Sequence, residues 1–241
     1  MSIRAVIFDF NGILVDDESV HFALFKEVLA QEGVTLSEKD YHERYLGFDD
    51  RKCFETVLLD SQKCTTSEDL DRLIAQKARR YVEAAAGGLR FFPAAAETLR
   101  ILAGDWPLAI CSGALRAEIE YCLRQLDRLS DVAAIISAED TMKCKPDPDG
   151  YERALAALRS HANNGNGLRG RGNNDLTSLA PSSCLVIEDS LAGVISAKGA
   201  GMLAVGIPNT YTTPQLFGAG ADDVIPGLES LTPEWINRRF L

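Results

Sequence analysis

The stretch that decides the fold is Ala5-Val6-Ile7-Phe8-Asp9-Phe10-Asn11-Gly12-Ile13-Leu14-Val15-Asp16-Asp17-Glu18. Its first four residues are apolar and include β-branched side chains, which is typical of a strand buried on both faces. The strand ends on Asp9, and Asn11-Gly12 is a dipeptide that favours a turn. Ligands of α/β proteins bind at the carboxyl ends of strands, so Asp9 is a candidate for chemistry. A carboxylate that only caps the Asn-Gly turn is the alternative.

The composition limits the class of protein and its partners. With 241 residues, 46% of them hydrophobic, the chain is long enough for one large domain or a core with a smaller insert. The net charge of −10 argues against nucleic acid or an anionic membrane surface as the main partner. No apolar run reaches transmembrane length, and we expect the N-terminal residues to enter a strand rather than form a signal peptide. Six cysteines without a CxxC pair predict reduced thiols and a cytoplasmic protein.

Beyond the opening strand, the chain divides by its hydrophobic periodicity. Residues 19–87 carry apolar side chains at helical spacing and contain no convincing strand. From Phe91 onward, short apolar runs alternate with helical segments, which predicts βαβ units and a parallel, doubly wound sheet of the α/β class. We therefore predict a core domain formed by residues 1–16 and 91–241, and a helical cap domain formed by residues 17–90.

One stretch interrupts the alternating pattern. The strands after Phe91 are expected at residues 107–111, 132–136, 184–187 and 202–206. Between the second and third of these, residues 160–183 are rich in Gly and Asn and offer little to bury, which predicts a flexible surface insertion. Two arginines within this stretch are expected to be solvated loop residues in so acidic a chain.

Four strand ends carry polar side chains to one edge of the predicted sheet. These side chains belong to Asp9 and Asn11, Ser112 and Gly113, Lys145, and Glu188 and Asp189. Right-handed crossovers place the carboxyl ends of parallel strands on the same side of the sheet. Carboxylates there are suited to hold a hard cation such as Mg²⁺, which lets a carboxylate approach an anionic phosphate. Lys145 and Ser112 would then balance charge on the transferring oxygens.

The same residues have plainer interpretations when each is taken alone. Ser112 and the run Glu188-Asp189-Ser190 suit helix N-termini, and Lys145 suits a solvated position before a Pro-rich turn. Their order along the chain and their common place at strand ends favour the site instead. The pattern therefore predicts phosphoryl transfer, for which a carboxylate nucleophile that forms an acyl-phosphate is an established strategy.

Several ordered motifs resemble the haloacid dehalogenase-like superfamily, and within it the β-phosphoglucomutase and phosphoglycolate phosphatase branch. They are Asp9–Asp16, Ser112-Gly113, Lys145–Pro148, Ile187–Ser190 and the helix at residues 191–202. The resemblance covers nearly the whole chain except the Gly/Asn-rich insertion. It implies a Rossmann-like core with an inserted all-helical cap, and a small phosphorylated metabolite, of sugar phosphate or phosphoglycolate type, as substrate.

The resemblance also implies residue roles in the core. The implied catalytic residues are Asp9, Asn11, Ser112 and Lys145. The implied Mg²⁺ ligands are Asp9, the backbone carbonyl of Asn11, Asp189 and also Glu188. Among these, Asp9 is the implied nucleophile, while Ser112, with Gly113 beside it, and Lys145 bind the phosphoryl group.

In the cap, the implied residues are expected to contact the substrate. Gly47 with Arg51 is similar to a substrate-specificity loop, in which a basic residue meets the distal anion of the substrate. His21 and Lys77 stand where mutase-like relatives place cap and hinge residues. Ordinary exposed charges are the alternative for Arg51 and Lys77, and a structural hinge histidine is the alternative for His21.

One departure from the family pattern concerns Asn11, since phosphatases and mutases of this family usually have a second Asp there. By the resemblance, that Asp is general acid toward the leaving oxygen and later general base toward water. Asn cannot exchange a proton in this way, although its backbone carbonyl can bind metal and its amide can orient a water. Loss of such help typically removes about 10²–10⁴-fold in rate. A slower phosphatase, a substrate with a good leaving group, and deamidation at Asn11-Gly12 remain open.

The sequence thus predicts a Mg²⁺-dependent phosphatase that acts through an aspartyl-phosphate. A β-phosphoglucomutase-like phosphotransferase is the first alternative, disfavoured because it must manage a sugar hydroxyl's proton in both half-reactions. A C–P hydrolase that uses Lys52, and a dehalogenase, fit less well. From another class, Asn11 permits a protein that binds phosphate ligands without turnover. The sequence makes no prediction of the oligomeric state.

Overall fold

The structure, a computed structural model, describes residues 2–163 and 176–240. Its strands are β1 (Ala5–Phe8), β2 (Val15–Asp16), β3 (Arg90–Phe91), β4 (Leu108–Cys111), β5 (Val132–Ile136), β6 (Cys184–Glu188), β7 (Leu203–Gly206) and β8 (Asp223–Val224). Six of them form a parallel sheet in the order β5-β4-β1-β6-β7-β8. The other two, β2 and β3, pair antiparallel with each other. The predicted α/β class with a parallel, Rossmann-like sheet is confirmed.

The helices occupy both sides of this sheet and one long insert. They are α1 (Glu18–Gln31), α2 (Glu38–Asp40), α3 (Asp50–Asp60), α4 (Ser67–Ala86), α5 (Ala95–Ala103), α6 (Arg116–Gln125), α7 (Asp149–Asn163), α8 (Leu191–Gly199), α9 (Thr213–Gly218) and α10 (Pro233–Phe240). A π-helical turn at Tyr41–Tyr45 follows α2. No helix within the described residues has the length and hydropathy that a membrane crossing needs.

The opening strand is apolar throughout because both of its faces are covered. Val6 and Phe8 belong to a hydrophobic cluster that includes residues of α5, α6 and α10. Ala5 and Ile7 point to the opposite face and belong to a second cluster, which includes residues of α7, α8 and α9. All four side chains are fully buried, and burying a Val, Ile or Phe side chain contributes about 1.5–3 kcal/mol. Burial on both faces fixes β1 in the centre of the sheet.

Helices α1 to α4 form the helical insert, which we define as residues 17–90. It has a hydrophobic cluster of its own, built around residues such as Phe25, Phe54 and Leu73 from α1, α3 and α4. The chain leaves and re-enters the core through the β2–β3 pair, in which Val15 lies opposite Phe91. A separate cluster and a two-strand connection support the predicted division into core and cap, and we keep that division as a proposal.

The predicted insertion at residues 160–183 differs from the structure at both ends. Residues 164–175 lie outside the described part of the chain. Before them, α7 continues to Asn163, and after them come 3-10 turns at Leu176–Ser178 and Pro181–Ser183. The boundary prediction was wrong because Leu176 and Leu179 are buried in the cluster under α7. The helix and the turns are also joined by the Arg159 guanidinium, which donates two hydrogen bonds to a backbone carbonyl in this segment.

Candidate active site

A cavity of about 380 Å³ lies between the carboxyl edge of the sheet and the helical insert. Asp9 follows β1, Ser112 follows β4, Lys145 lies between β5 and α7, and Asp189 follows β6. Because β1 lies between β4 and β6, these loops meet at the centre of the edge. Most of the predicted site residues line this cavity: Asp9, Asn11, His21, Gly47, Ser112, Gly113, Lys145 and Asp189.

Lys145 joins two carboxylates at the floor of the cavity. Its ammonium donates hydrogen bonds to Asp9 Oδ1 at 2.8 Å and to Glu188 Oε1 at 2.6 Å. A third hydrogen bond goes to the backbone carbonyl of Cys111 at 3.2 Å. Burial alone would lower the pKa of Lys145, but Asp9 and Glu188 raise it well above its usual value. Lys145 is therefore a fixed, permanently charged cation beside Asp9.

The acidic side chains around Lys145 repel one another. Atoms of Asp9, Glu188 and Asp189 that are able to bind a metal lie within 4.8 Å of one another. Burial, followed by the charge of Glu188, raises the pKa of Asp9 from 3.8 to about 7. Burial, followed by the charges of Glu188 and Asp9, raises the pKa of Asp189 well above its usual value. A hard divalent cation would relieve this repulsion, so the donor set fits Mg²⁺.

Glu188 has less capacity for a metal than the other two carboxylates. Its Oε1 accepts hydrogen bonds from Lys145 and from Tyr151 Oη at 2.8 Å. Its Oε2 accepts hydrogen bonds from the backbone N–H groups of Asp189 and Ser190, and from the Ser190 hydroxyl at 2.9 Å. A carboxylate offers about four lone-pair sites, and in Glu188 hydrogen-bond donors occupy all of them. We infer that it holds Lys145, which leaves Asp9 and Asp189 as the side-chain ligands for a cation.

The turn after β1 brings Asp189 against the first motif. Gly12 has a φ of +77°, and a Cβ at this position would lie 2.0 Å from Asp189 Oδ2. Only glycine combines that backbone conformation with so close a carboxylate. The Asn209 side chain also holds the turn, since it donates to the Gly12 carbonyl at 2.7 Å, and the Thr210 hydroxyl donates to Asp189.

The Asn11 side chain lies between the core and the hinge to the helical insert. Its Nδ2 donates to both oxygens of Asp17, at 3.0 and 3.1 Å. Its Oδ1 accepts a hydrogen bond from the Ser112 hydroxyl at 3.3 Å. The Gly12 N–H, which would have to attack the Asn11 side chain during deamidation, donates to the Val15 carbonyl at 2.9 Å instead. This hydrogen bond disfavours deamidation as the explanation for Asn11.

A buried polar network extends from Asp17 into the helical insert. Asp17 Oδ2 accepts a hydrogen bond from Tyr81 Oη at 2.6 Å and lies 3.2 Å from His21 Nε2. The other ring nitrogen of His21 lies 2.8 Å from the Lys77 ammonium, which also pairs with Asp50 Oδ1 at 2.5 Å. Lys77 can only donate, so His21 Nδ1 accepts and Nε2 carries the proton toward Asp17. Because Asp17, Lys77 and Tyr81 are fully buried, the network is largely removed from water.

Two of the predicted substrate-binding residues do not reach the cavity. Arg51 is exposed and pairs with Asp71, so its guanidinium is engaged on α4 rather than in the cavity. Lys77 is fully buried behind His21 and is not among the lining residues. The structure therefore favours the alternative of an ordinary exposed charge for Arg51, whereas Lys77 is not exposed and its burial favours a structural role. Packing of α3 against α4 decides both outcomes, because it sets which acidic partner each cation meets.

Several residues of the site were not predicted from the sequence. They are Asp17, Tyr81, Tyr151, Asn209 and Thr210, and each of them holds a predicted residue or turn in place. Asp17 and Tyr151 had a visible signal, since Asp17 belongs to the acidic run that closes the opening motif and Tyr151 closely follows the motif at Lys145–Pro148. The other three lie in segments where no motif points to the site. Only the folded chain brings them to it.

The fold and the site define an α/β enzyme with a lysine-bridged acidic centre at the carboxyl edge of its sheet. The model of the haloacid dehalogenase-like hydrolase family matches residues 3–201. Because this match covers most of the chain, the protein belongs to the haloacid dehalogenase-like hydrolase family. The predicted resemblance is confirmed.

Individual relatives place the chain in one branch of that family. It is 32% identical over 245 residues to Protein CbbY of Rhodobacter capsulatus, with 98% of each chain covered. It is 27% identical over 242 residues to β-phosphoglucomutase of Bacillus subtilis, with 98% of this chain and 95% of that one covered. A solved structure of a CbbY variant from Rhodobacter sphaeroides, in complex with xylulose-1,5-bisphosphate, has a TM-score of 0.78 and 25% identity, over 95% of this chain and 96% of that one.

Proposed function

We propose that this protein is a Mg²⁺-dependent phosphatase of small phosphate monoesters that acts through an aspartyl-phosphate on Asp9. The observation that carries the proposal is the Asp9–Lys145 pair with Asp189 beside it, at the floor of a cavity. Relatives that include CbbY and named phosphatases of phosphorylated carbohydrates support a sugar phosphate as substrate. Asp9, Asp189 and the Asn11 backbone carbonyl would hold the Mg²⁺, which supplies charge neutralisation between carboxylate and phosphate.

The proposed reaction has two steps, and Asp9 takes part in both. In the first, the Asp9 carboxylate attacks phosphorus, and the bond from phosphorus to the ester oxygen breaks. In the second, water attacks phosphorus, the bond to Asp9 breaks and phosphate is released. Solvent takes the proton from this water and supplies the proton that the ester oxygen gains, since Asn11 can do neither. Lys145 and the Ser112 hydroxyl stabilise the non-bridging oxygens in both steps. The helical insert, as a cap, would exclude bulk water and select the substrate.

Asn11 shapes the substrate preference, since it cannot protonate the leaving oxygen. The rate falls little for an ester whose leaving group departs without a proton, because such an ester needs no general acid at position 11. We therefore propose that p-nitrophenyl phosphate reacts faster, relative to alkyl phosphates, than it does in an enzyme with a carboxylic acid at this position. The role of Asn11 is then to accept a hydrogen bond from water or substrate through Oδ1.

A β-phosphoglucomutase-like activity is the second candidate, because a named β-phosphoglucomutase is among the relatives. Moving a phosphoryl group between two hydroxyls of a sugar passes through a bisphosphate, which needs a second cationic subsite. Among the described residues that line the cavity, the side of the helical insert carries the acidic Glu18, Asp49 and Asp50. His42 is the one basic side chain there besides the engaged His21. Lys143 lines the cavity on the core side, but it pairs with Asp147, so the charge of the cavity favours a substrate with one phosphoryl group.

Phosphate release from a panel of phosphorylated metabolites tests the proposal. With Mg²⁺ we expect release from monophosphates, and we expect kcat/KM to be higher for a sugar monophosphate than for the matching bisphosphate. A chelator should lower the rate at least about 100-fold, because the carboxylates then repel the phosphate. Conversion of β-glucose 1-phosphate to the 6-phosphate would favour the mutase. Thermal stabilisation by phosphosugars without any release would favour a binding protein.

Magnesium is expected to stabilise the fold more near pH 8 than near pH 5.5. The pKa of Asp9 is about 7 in the fold and 3.8 as its unperturbed value. Between these values the folded state binds more protons than the unfolded state, so stability without metal falls as the pH rises toward 7. The cation takes the place of the proton, and its binding is therefore stronger above pH 7.

A thermal-unfolding series with MgCl₂ or a chelator measures this effect. Mg²⁺ at about 100 times its Kd contributes about 2.7 kcal/mol, or a rise of about 5–11 °C in Tm for a chain of this length. Asp189→Asn should abolish most of the rise. Asp127→Asn is the control, because Asp127 is exposed and has a φ of +56°, which Asn also tolerates. Equal shifts at both pH values would contradict the expectation.

The cysteines support a reducing compartment. All six lie in the described part of the chain, and all are free thiols. Burial raises the pKa of Cys111 and of Cys122 to about 12, so neither is a reactive thiolate. We propose the cytoplasm as the compartment, because free thiols persist where the environment keeps them reduced.

A further inference from the structure

The contact between Asn11 and Asp17 fixes which way the Asn11 amide faces. Asp17 is fully buried, and its carboxylate only accepts hydrogen bonds in the ionised form. The group of Asn11 that lies 3.0 and 3.1 Å from the Asp17 oxygens must therefore be the NH₂ group. This leaves Oδ1 on the side of Ser112, whose hydroxyl donates to it at 3.3 Å. The acceptor-only carboxylate of Asp17 therefore fixes the orientation of the Asn11 amide, which atomic positions alone leave ambiguous.

Asp17 is itself held from the other side. Tyr81 Oη donates to Asp17 Oδ2 at 2.6 Å, and His21 Nε2 lies 3.2 Å from the same oxygen. Both partners come from helices of the helical insert, His21 from α1 and Tyr81 from α4. The carboxylate therefore has little freedom to turn away from Asn11. Asn11 Nδ2 also lies 3.2 Å from His21 Nε2, so the Asp17 carboxylate is the acceptor that both N–H groups share, and the amide keeps its NH₂ group toward it.

We propose that Asp17 is a positioning residue that acts through Asn11: it turns the amide oxygen toward the phosphoryl site and makes an amide, rather than a carboxylate, the group that fits at position 11. The proposal rests on the proposed function, since Oδ1 then accepts a hydrogen bond from the attacking water. An oxygen at a fixed place orients this water without taking its proton. Asn11 and Asp17 are in this sense a matched pair.

The same geometry explains why a single change to Asp at position 11 does not create an efficient acid–base group. In Asn11→Asp, a carboxylate oxygen would replace the NH₂ group at about 3 Å from the Asp17 carboxylate. Two like charges at this distance repel strongly when buried. Two hydrogen bonds would be lost at the same time. The new side chain is expected to turn away from Asp17 and lose its place beside Ser112.

Exchanging the two side chains removes this conflict. In the double variant Asn11→Asp/Asp17→Asn, the NH₂ group belongs to residue 17 and the carboxylate to residue 11. The hydrogen bond at the 3.0 Å contact is kept, with donor and acceptor reversed, while the 3.1 Å contact to the other oxygen of residue 17 no longer carries one. The remaining oxygen of Asn at position 17 still accepts the hydrogen bond from Tyr81. The total charge and the side-chain sizes of the pair are unchanged, so this variant is matched to the natural protein.

A double-mutant cycle on the Mg²⁺-loaded protein tests the proposal. For p-nitrophenyl phosphate, we expect Asn11→Asp alone to give a kcat no more than about threefold above the natural protein. The double variant should exceed Asn11→Asp at least about 10-fold in kcat, with KM within about twofold, because a carboxylate then activates the water. Asp17→Asn alone should lower kcat. If the effects of the two changes on ln kcat are additive, Asp17 does not act through residue 11 and the proposal is overturned.

Thermal unfolding of the same variants separates this inference from the proposed function. Asn11→Asp should lower Tm by several degrees near pH 8, and the added Asp17→Asn should restore it. Asp127→Asn is the control at an exposed position. If no variant releases phosphate but this coupling in Tm holds, the pairing stands and the proposed function fails. If phosphate is released but neither kcat nor Tm shows coupling, the proposed function stands and the pairing is wrong.

Discussion

Asp9→Asn is expected to abolish phosphate release, with a fall in kcat of at least about 10⁴-fold. The amide has nearly the same shape as the carboxylate but cannot form the aspartyl-phosphate, and removing an enzyme's nucleophile costs rates on this scale. The fold should be kept or stabilised. Burial and Glu188 raise the pKa of Asp9 to about 7, so the fold already disfavours the charge that the variant removes. Lys145 would still pair with Glu188 at 2.6 Å.

Three measurements check this expectation together. Phosphate release gives kcat, thermal unfolding gives Tm, and intact-protein mass after rapid quenching detects a covalent phosphoryl group in the natural protein but not in Asp9→Asn. Asp127→Asn applies the same chemical change at an exposed position and should leave all three readings unchanged. Full activity in Asp9→Asn with an unchanged Tm would show that Asp9 is not the nucleophile.

Lys145→Ala is expected to damage both activity and stability. The ammonium is held by Asp9, by Glu188 and by a backbone carbonyl, and its side chain is only 16% exposed. Removing it leaves Glu188, which is fully buried, without its cation. Removing one partner of a buried ion pair typically lowers the free energy of unfolding by about 3–5 kcal/mol, which for a chain of this length lowers Tm by about 6–20 °C. The loss of phosphate stabilisation should lower kcat/KM about 100–1,000-fold.

An exposed lysine and a second change separate the two effects. Lys39 is exposed on α2 and does not line the cavity, so Lys39→Ala should change Tm and kcat/KM little. Adding Glu188→Gln to Lys145→Ala removes the stranded charge and should recover part of the lost Tm. Activity should stay low in the double variant, because no cation then faces the phosphate. Recovery of activity along with Tm would contradict a direct role of Lys145.

Much of the site could be predicted from the order of elements along the chain. In a parallel sheet with right-handed crossovers, every strand ends at the same edge, so Asp9, Ser112 and Asp189 had to converge once their strands were recognised. Their convergence needs no knowledge of side-chain packing. The bounds of β1, β4, β5, β6 and β7 were predicted within a residue or two, because each is a short apolar run between polar turns, whereas β2, β3 and β8 were not predicted. Local pattern and topology are enough for this part of the site.

The residues of the helical insert show where that reasoning stops. Arg51 and Lys77 have the charge that a substrate-binding residue needs, and helical spacing allows either to face the cavity. The packing of α3 on α4 instead pairs Arg51 with Asp71 and encloses Lys77 between His21 and Asp50. A long side chain takes the partner nearest to it in space. That partner lies far away in sequence, with 20 to 56 positions between the two residues.

The amino-acid sequence by itself determined the sheet, the acidic centre and the family, because these depend on strand patterns and on motifs at strand ends. Tertiary structure alone decided that Glu188 holds Lys145, and that Asn11 is paired with Asp17. The physical reason is that burial makes hydrogen-bond partners obligatory without specifying which they are. The helical insert brings Tyr81 and His21 to Asp17, and Asp17 in turn sets the orientation of Asn11.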